Sequence, residues 1–252
     1  MTARPAHATG PREPHPLLDG IDLVVFDKDG TLIDFDSMWT PWVIELTERL
    51  EAAAGRALAD RIDAELGFDR AAGRAVAGQP LAIMPMGDLR AATVDLNERA
   101  GLSRDAAERT LDEAWFIPDP VLEAHPVTDL RALFASLRAR GIRIAVATSD
   151  DHAPTAATLE GLGVGALVEA LVGADDGIAR KPAPDPVLHI CAQLGIAPAR
   201  TAVVGDSAAD LAMGRAAGAA RTIGVLTGVS GRQELEPYAD AVVDSVAALA
   251  DG

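Results

Sequence analysis

The sequence predicts an α/β protein: a parallel sheet flanked by helices, with a small all-helical domain inserted after the first strand. Three observations carry this. Short apolar runs, rich in β-branched residues and closed by polar turn residues, recur at residues 23–26, 142–147 and 201–204, the pattern of buried strands. From Val127 onward, helical periodicity and glycine stops alternate with those runs, as βαβ units require. Between the first and second runs, residues 36–118 are dominated by the helix formers Ala, Leu, Glu and Arg and hold few strand-like segments. A chain of 252 residues accommodates one large or two unequal domains and a sizeable core.

Residues 1–16 are rich in Pro, His, Ala and Gly and lack an apolar signal core, so a disordered tail on a cytoplasmic protein is expected. The first strand then runs into Asp27-Lys28-Asp29-Gly30-Thr31, two carboxylates one residue apart followed by a glycine. In the insert, Trp39, Trp42, Val43, Leu46 and Leu50 recur at helical spacing, and Pro118-Asp119-Pro120 breaks the pattern. The expected organisation is therefore a core of residues 17–35 and 119–252 and a helical cap of residues 36–118, with hinges near 34–37 and 118–120.

In the second half, a helix to Arg140 and a Gly141 stop precede the strand 142–147, which delivers Thr148-Ser149-Asp150. A helix over 154–162 and a short apolar segment at Leu171-Val172 follow. Lys181 opens a proline-rich loop in which Asp185 is the expected N-cap and Pro186 the first helical residue. The strand 201–204 delivers Gly205-Asp206-Ser207-Ala208-Ala209-Asp210 into a helix stopped by Gly218, and the last strands are expected at 221–225 and 240–243.

Composition narrows the partners. A formal charge of −16 argues against nucleic acid or an anionic membrane, both of which demand a cationic surface. Cys191 is the only cysteine, so an intrachain disulfide is excluded. No apolar run approaches the roughly 18 residues of a membrane helix.

Right-handed crossovers place the carboxyl ends of parallel strands on one edge, where open α/β sheets bind ligands. Asp27, Asp29, Thr148, Lys181, Asp206 and Asp210 can converge there. In their order and spacing, Asp27-Lys28-Asp29-Gly30-Thr31, Thr148, Lys181 and Gly205 to Asp210 resemble the four motifs of the haloacid dehalogenase superfamily, in particular its phosphoglycolate phosphatase-like members with an inserted helical cap of the C1 type. The resemblance spans most of the chain and implies a Rossmann-like core and a phosphatase acting on a small phosphate monoester. It implies Mg²⁺ held by Asp27, the Asp29 backbone carbonyl and Asp206. Two close carboxylates resist joint ionisation, and a hard cation with oxygen ligands relieves this.

The same resemblance implies a role for each residue. Asp27 is the expected nucleophile, and Asp29 the acid that protonates the leaving alcohol and then the base that activates water. Lys181 and Thr148, with Ser149, are the expected phosphate ligands, Asp210 orients Lys181 or a metal-bound water, and Thr31 hydrogen-bonds near Asp29. A phosphomutase of the same superfamily would share every catalytic residue, and an idle binding protein could keep the fold.

Taken singly, most of these residues have ordinary alternatives. Aspartates after strands are commonly turn or cap residues, and a lone lysine is commonly a solvated surface group. Trp39 and Trp42 read as cap packing, His152 as a loop residue and Cys191 as a buried small hydrophobe. In the cap, Arg49, Arg56, Arg61, Arg70, Arg74 and Arg90 could contact an anionic substrate, although helix-face arginines are mostly solvated. Asp150-Asp151, beside the expected phosphate pocket, would repel a substrate carboxylate and favour a hydroxyl or amine over phosphoglycolate.

Overall fold

The computed structural model describes residues 16–250. The expected disordered tail lies outside them but for Pro16. The first strand, β1 (Leu23–Phe26), is followed by α1 (Phe35–Ala54), α2 (Ala59–Leu66), the two-residue strands β2 (Phe68–Asp69) and β3 (Arg74–Ala75), α3 (Pro80–Ile83), α4 (Met86–Arg99) and α5 (Arg104–Ala114). The chain then alternates: α6 (Leu130–Ala139), β4 (Arg143–Ala147), α7 (His152–Gly161), β5 (Ala170–Val172), α8 (Asp185–Leu194), β6 (Thr201–Gly205), α9 (Ala208–Ala217), β7 (Arg221–Val225), α10 (Arg232–Leu235) and β8 (Ala241–Val243).

Six strands form one parallel sheet in the order β5-β4-β1-β6-β7-β8, with β1 between β4 and β6. All four β1 residues are buried, as expected of a parallel strand covered on both faces. Leu23 and Val25 face a cluster with Val187, Ile190 and Cys191 of α8 and Met213 of α9. Val24 and Phe26 face the other way, against Leu133, Phe134 and Leu137 of α6. The Phe26 and Phe134 rings stack with centroids 5.5 Å apart.

The insert between β1 and β4 has its own core, built on Trp42, Val43, Leu46 and Leu50 of α1 and joined by Ile62, Leu89 and Leu111. Asp34 caps α1 by accepting from the Ser37 amide at 2.7 Å, and Gly55 ends it at φ 66°. The insert is helical except for the β2–β3 antiparallel pair, which two residues per strand are too few to announce in sequence. Its two crossings to the sheet run side by side: the Asp34 amide donates to the His125 carbonyl and the Val127 amide to the Leu32 carbonyl. In α8, Pro184 is the N-cap and Asp185 the first helical residue, one position earlier than expected, and the Asp185 side chain makes no cap bond. Pro186 fits the second position as well as the first, since neither amide there has an intrahelical acceptor.

Candidate active site

The register of β1 sets the site. Phe26 lies opposite Val146 of β4 and Val204 of β6, so the residues that follow these strands emerge together on one edge. The Asp27 amide extends the ladder by donating to the Val204 carbonyl at 2.9 Å. The chain then turns tightly about the Lys28 carbonyl, which accepts from the amides of Leu32 and Ile33.

Gly30, at φ 80°, permits this turn and a close approach: a Cβ there would lie 2.6 Å from Asp206 Oδ2. On the other side, a Cβ on Gly228 would lie 1.9 Å from the same oxygen. Asp206 thus fits between two glycines, and its Oδ2 accepts from the Val229 amide at 2.8 Å. The loop after β7 therefore belongs to the site. A glycine at 228 is the one trace in sequence of that close approach.

Lys181 Nζ donates to Asp27 Oδ1 at 2.6 Å and to Asp210 Oδ1 at 2.5 Å, and all three side chains are buried. Asp210 also forms a capping box with Ser207, whose amide and hydroxyl donate to Asp210 Oδ2. Carboxylate oxygens of Asp27, Asp206 and Asp210 lie within 4.8 Å of one another. Burial, opposed by Lys181 and reinforced by Asp210 and Asp29, pushes Asp27 up to about 7. Burial and the neighbouring Asp27 and Asp210 also raise Asp206. Burial alone would depress Lys181, but the Asp210 and Asp27 carboxylates outweigh it and hold the ammonium above its ordinary value.

Asp29 faces a different set of groups. Its Oδ1 accepts from Trp39 Nε1 at 3.3 Å and its Oδ2 lies 3.1 Å from Lys28 Nζ. The third carboxylate of the acidic cluster is accordingly Asp210 and not Asp29. Burial raises Asp29, against the lowering pull of Lys28. Lys28 is only 1% exposed and also donates to Asp150 Oδ2 at 2.8 Å. In sequence, a lysine between two acids in a turn carries no signal of burial; the fold buries Lys28. Trp39 likewise has two duties, packing edge-on against Trp42 at 5.6 Å and reaching Asp29.

Thr148 and Ser149 line the same cleft. Thr148 Oγ1 accepts from the Asp150 amide at 3.1 Å, which leaves its own proton directed elsewhere. Thr31 departs from expectation: its hydroxyl is buried with no hydrogen-bond partner among the described residues, so it does not bond near Asp29. The turn about Lys28 encloses Thr31 completely. His152 pairs with Asp176 outside the cleft.

The expected repulsion from Asp150-Asp151 also needs correction. Asp150 reaches the cleft wall, but its charge is matched by Lys28, and Asp151 is the N-cap of α7 and not part of the lining. None of the six cap arginines lines the cleft; Arg49, Arg70 and Arg90 are paired with Glu45, Asp63 and Asp112.

The donor set suits a hard divalent cation. Asp210 has both oxygens engaged, whereas Asp27 Oδ2 and Asp206 Oδ1 have no hydrogen-bond partner among the described residues. Two buried, converging carboxylates with free oxygens are stabilised as anions by such an ion.

A parallel sheet that gathers three buried aspartates and a lysine at one edge, under a helical insert, defines a Rossmann-like α/β protein with an acidic, metal-competent cleft. The sequence matches the family described as haloacid dehalogenase-like hydrolase over residues 21–218, and the chain belongs to that family. It is 31% identical over 232 residues to the phosphoglycolate phosphatase of Rhodospirillum rubrum, covering 90% of this chain and 89% of the relative. Among solved structures, a haloacid dehalogenase-type phosphatase from Thermococcus onnurineus superposes with a TM-score of 0.65 at 19% identity, covering 91% of this chain and 96% of the other. A candidate β-phosphoglucomutase from Thermotoga maritima superposes with a TM-score of 0.59 at 21% identity, covering 91% and 97%. Among the described residues, no helix is long and apolar enough to cross a membrane.

Proposed function

We propose that this hydrolase is a Mg²⁺-dependent phosphatase that cleaves a small phosphate monoester through an aspartyl-phosphate on Asp27. The observation that carries the reading is the placement of Lys181 Nζ between Asp27 and Asp210, beside Asp206, with the raised Asp29 on a separate set of contacts. Phosphatase activity among relatives of near-full coverage supports it.

Asp27 and Asp206, with the Asp29 carbonyl, would hold the cation, which when bound supplies positive charge against the anionic phosphate. Lys181 and the Thr148 hydroxyl, with Ser149, bind the phosphoryl oxygens. Asp27 attacks phosphorus; the bond from its carboxylate oxygen to phosphorus forms as the bond to the ester oxygen breaks. Asp29, whose carboxyl burial shifts toward the protonated form, gives its proton to that leaving oxygen. It then takes a proton from the water that attacks phosphorus and frees Asp27. Lys28 and Trp39 hold the Asp29 carboxyl through both transfers.

The cap-side wall argues against the phosphomutase alternative. It consists of Phe35, Trp39, Leu81, Ala82, Met84 and Met86, and its one polar group, Trp39 Nε1, is committed to Asp29, so sugar hydroxyls find no partners there. The deciding experiment is release of inorganic phosphate from a generic ester, with and without Mg²⁺, by the native protein and Asp27→Asn. A loss on the order of 10³-fold or more in the variant is expected. Native-like turnover by Asp27→Asn overturns the assignment, and isomerisation without phosphate release identifies a mutase.

A further inference from the structure

The two walls of the cleft differ sharply in character. The sheet side carries the carboxylates, Thr148, Ser149 and Lys181, while the cap side presents only aromatic and aliphatic side chains. Lys181 is the single basic residue among those that line the cleft, and it is already shared between Asp27 and Asp210. Arg180, next in sequence, turns away to Asp88 and the Ala174 carbonyl. Lys28 is buried beneath the cleft and matched by Asp29 and Asp150.

A leaving group seated between phosphorus and the cap meets Phe35, Leu81, Met84 and Met86. An alkyl or aryl group loses water there at a gain, since apolar area is buried against apolar area. A carboxylate in the same place loses its hydration with no cation on that wall to replace it. A protonated amine would bring its own desolvation cost; Asp29 and Asp150 are engaged by Lys28, Asp27 and Asp210 by Lys181, and Asp206 is assigned to the cation.

From this asymmetry we propose that the cleft selects phosphate monoesters whose leaving group is uncharged and apolar, and discriminates against carboxylated ones such as phosphoglycolate. The proposal rests on the phosphatase reading for turnover, but the predicted preference applies equally to binding.

The test compares benzyl phosphate with phosphoglycolate, both of which expel an alkoxide oxygen, and separately measures calorimetric binding of benzylphosphonate and 3-phosphonopropionate, which cannot be hydrolysed. Benzyl phosphate is expected to exceed phosphoglycolate in kcat/KM by about tenfold or more, with the phosphonates ranked the same way. Met84→Arg, at a half-exposed position that tolerates a longer side chain, should narrow both ratios by supplying the missing cation. Equal or reversed preference in the native protein, or binding of neither phosphonate, overturns the proposal. Tighter benzylphosphonate binding without turnover of either ester upholds the pocket preference and rejects the phosphatase reading instead.

Discussion

The Lys28 ammonium donates to Asp150 Oδ2 at 2.8 Å and so ties the turn after β1 to the loop after β4, from a position that is 1% exposed. Because it also lies 3.1 Å from Asp29, one buried cation serves two carboxylates. Lys28→Met leaves both without their cation, and breaking a buried pair costs about 3–5 kcal/mol. Urea unfolding should show that loss for Lys28→Met, and a smaller one for Lys28→Met combined with Asp150→Leu than the two single changes add up to. Simple additivity would mean that the two residues do not interact energetically.

Asp206 depends on the absence of side chains at two places. Gly228→Ala introduces a Cβ that would sit 1.9 Å from Asp206 Oδ2, and the carboxylate must shift away from the cluster. The Mg²⁺ concentration for half-maximal phosphate release should rise about 10–100-fold, the usual cost of disturbing the support of a metal ligand. An unchanged Mg²⁺ requirement would place Asp206 outside the metal site.

The buried acids also set a pH dependence. Asp27 binds its proton more tightly when folded, at about 7 against an ordinary 3.8, so between those values the folded state holds a proton that the unfolded chain has lost. Stability in the presence of a chelator should therefore fall as the pH rises from 5 to 7, with a slope of up to about 1.4 kcal/mol per pH unit for one group. Saturating Mg²⁺ should flatten the slope, because the cation takes the proton's place. Denaturant midpoints measured across this range with EDTA or Mg²⁺ check both statements.

Arg180, in the loop after β5, pairs with Asp88 of α4 and so links the core to the insert outside the cleft lining. Both are about half exposed, so their ion pair adds little stability by itself, under about 1 kcal/mol. Asp88→Cys with Arg180→Cys, joined by a short bifunctional thiol reagent, should slow turnover of bulky esters more than of small ones if the insert must lift to admit them. Cys191, the only native thiol, is buried and does not compete. Equal rates before and after joining would indicate an insert that stays in place.

The sheet was legible because β1, β4 and β6 are runs of apolar residues buried on both faces, which leaves a continuous signal in sequence. Asp27, Lys181, Asp206 and Asp210 could be placed at one edge because parallel topology brings strand ends together. Lys28, Trp39 and Gly228 were not legible in the same way. Each acts through a partner set by tertiary packing: Asp150 lies 122 positions from Lys28, and Gly228 matters only because Asp206 passes beside it. The β2–β3 pair leaves no signal in sequence, because two residues cannot establish an alternation.

The central position of β1 bears on how the chain is made. This strand is synthesised before every other strand of the sheet, yet its first neighbour, β4, follows more than a hundred residues later, and β6 comes later still. Until both arrive, Leu23 to Phe26 lack the pairing and cover they have in the finished sheet, and pairing over such separations is slow. A nascent chain halted before β6 would thus carry an unfinished central strand with one open edge, the stage at which protection by a chaperone would matter most.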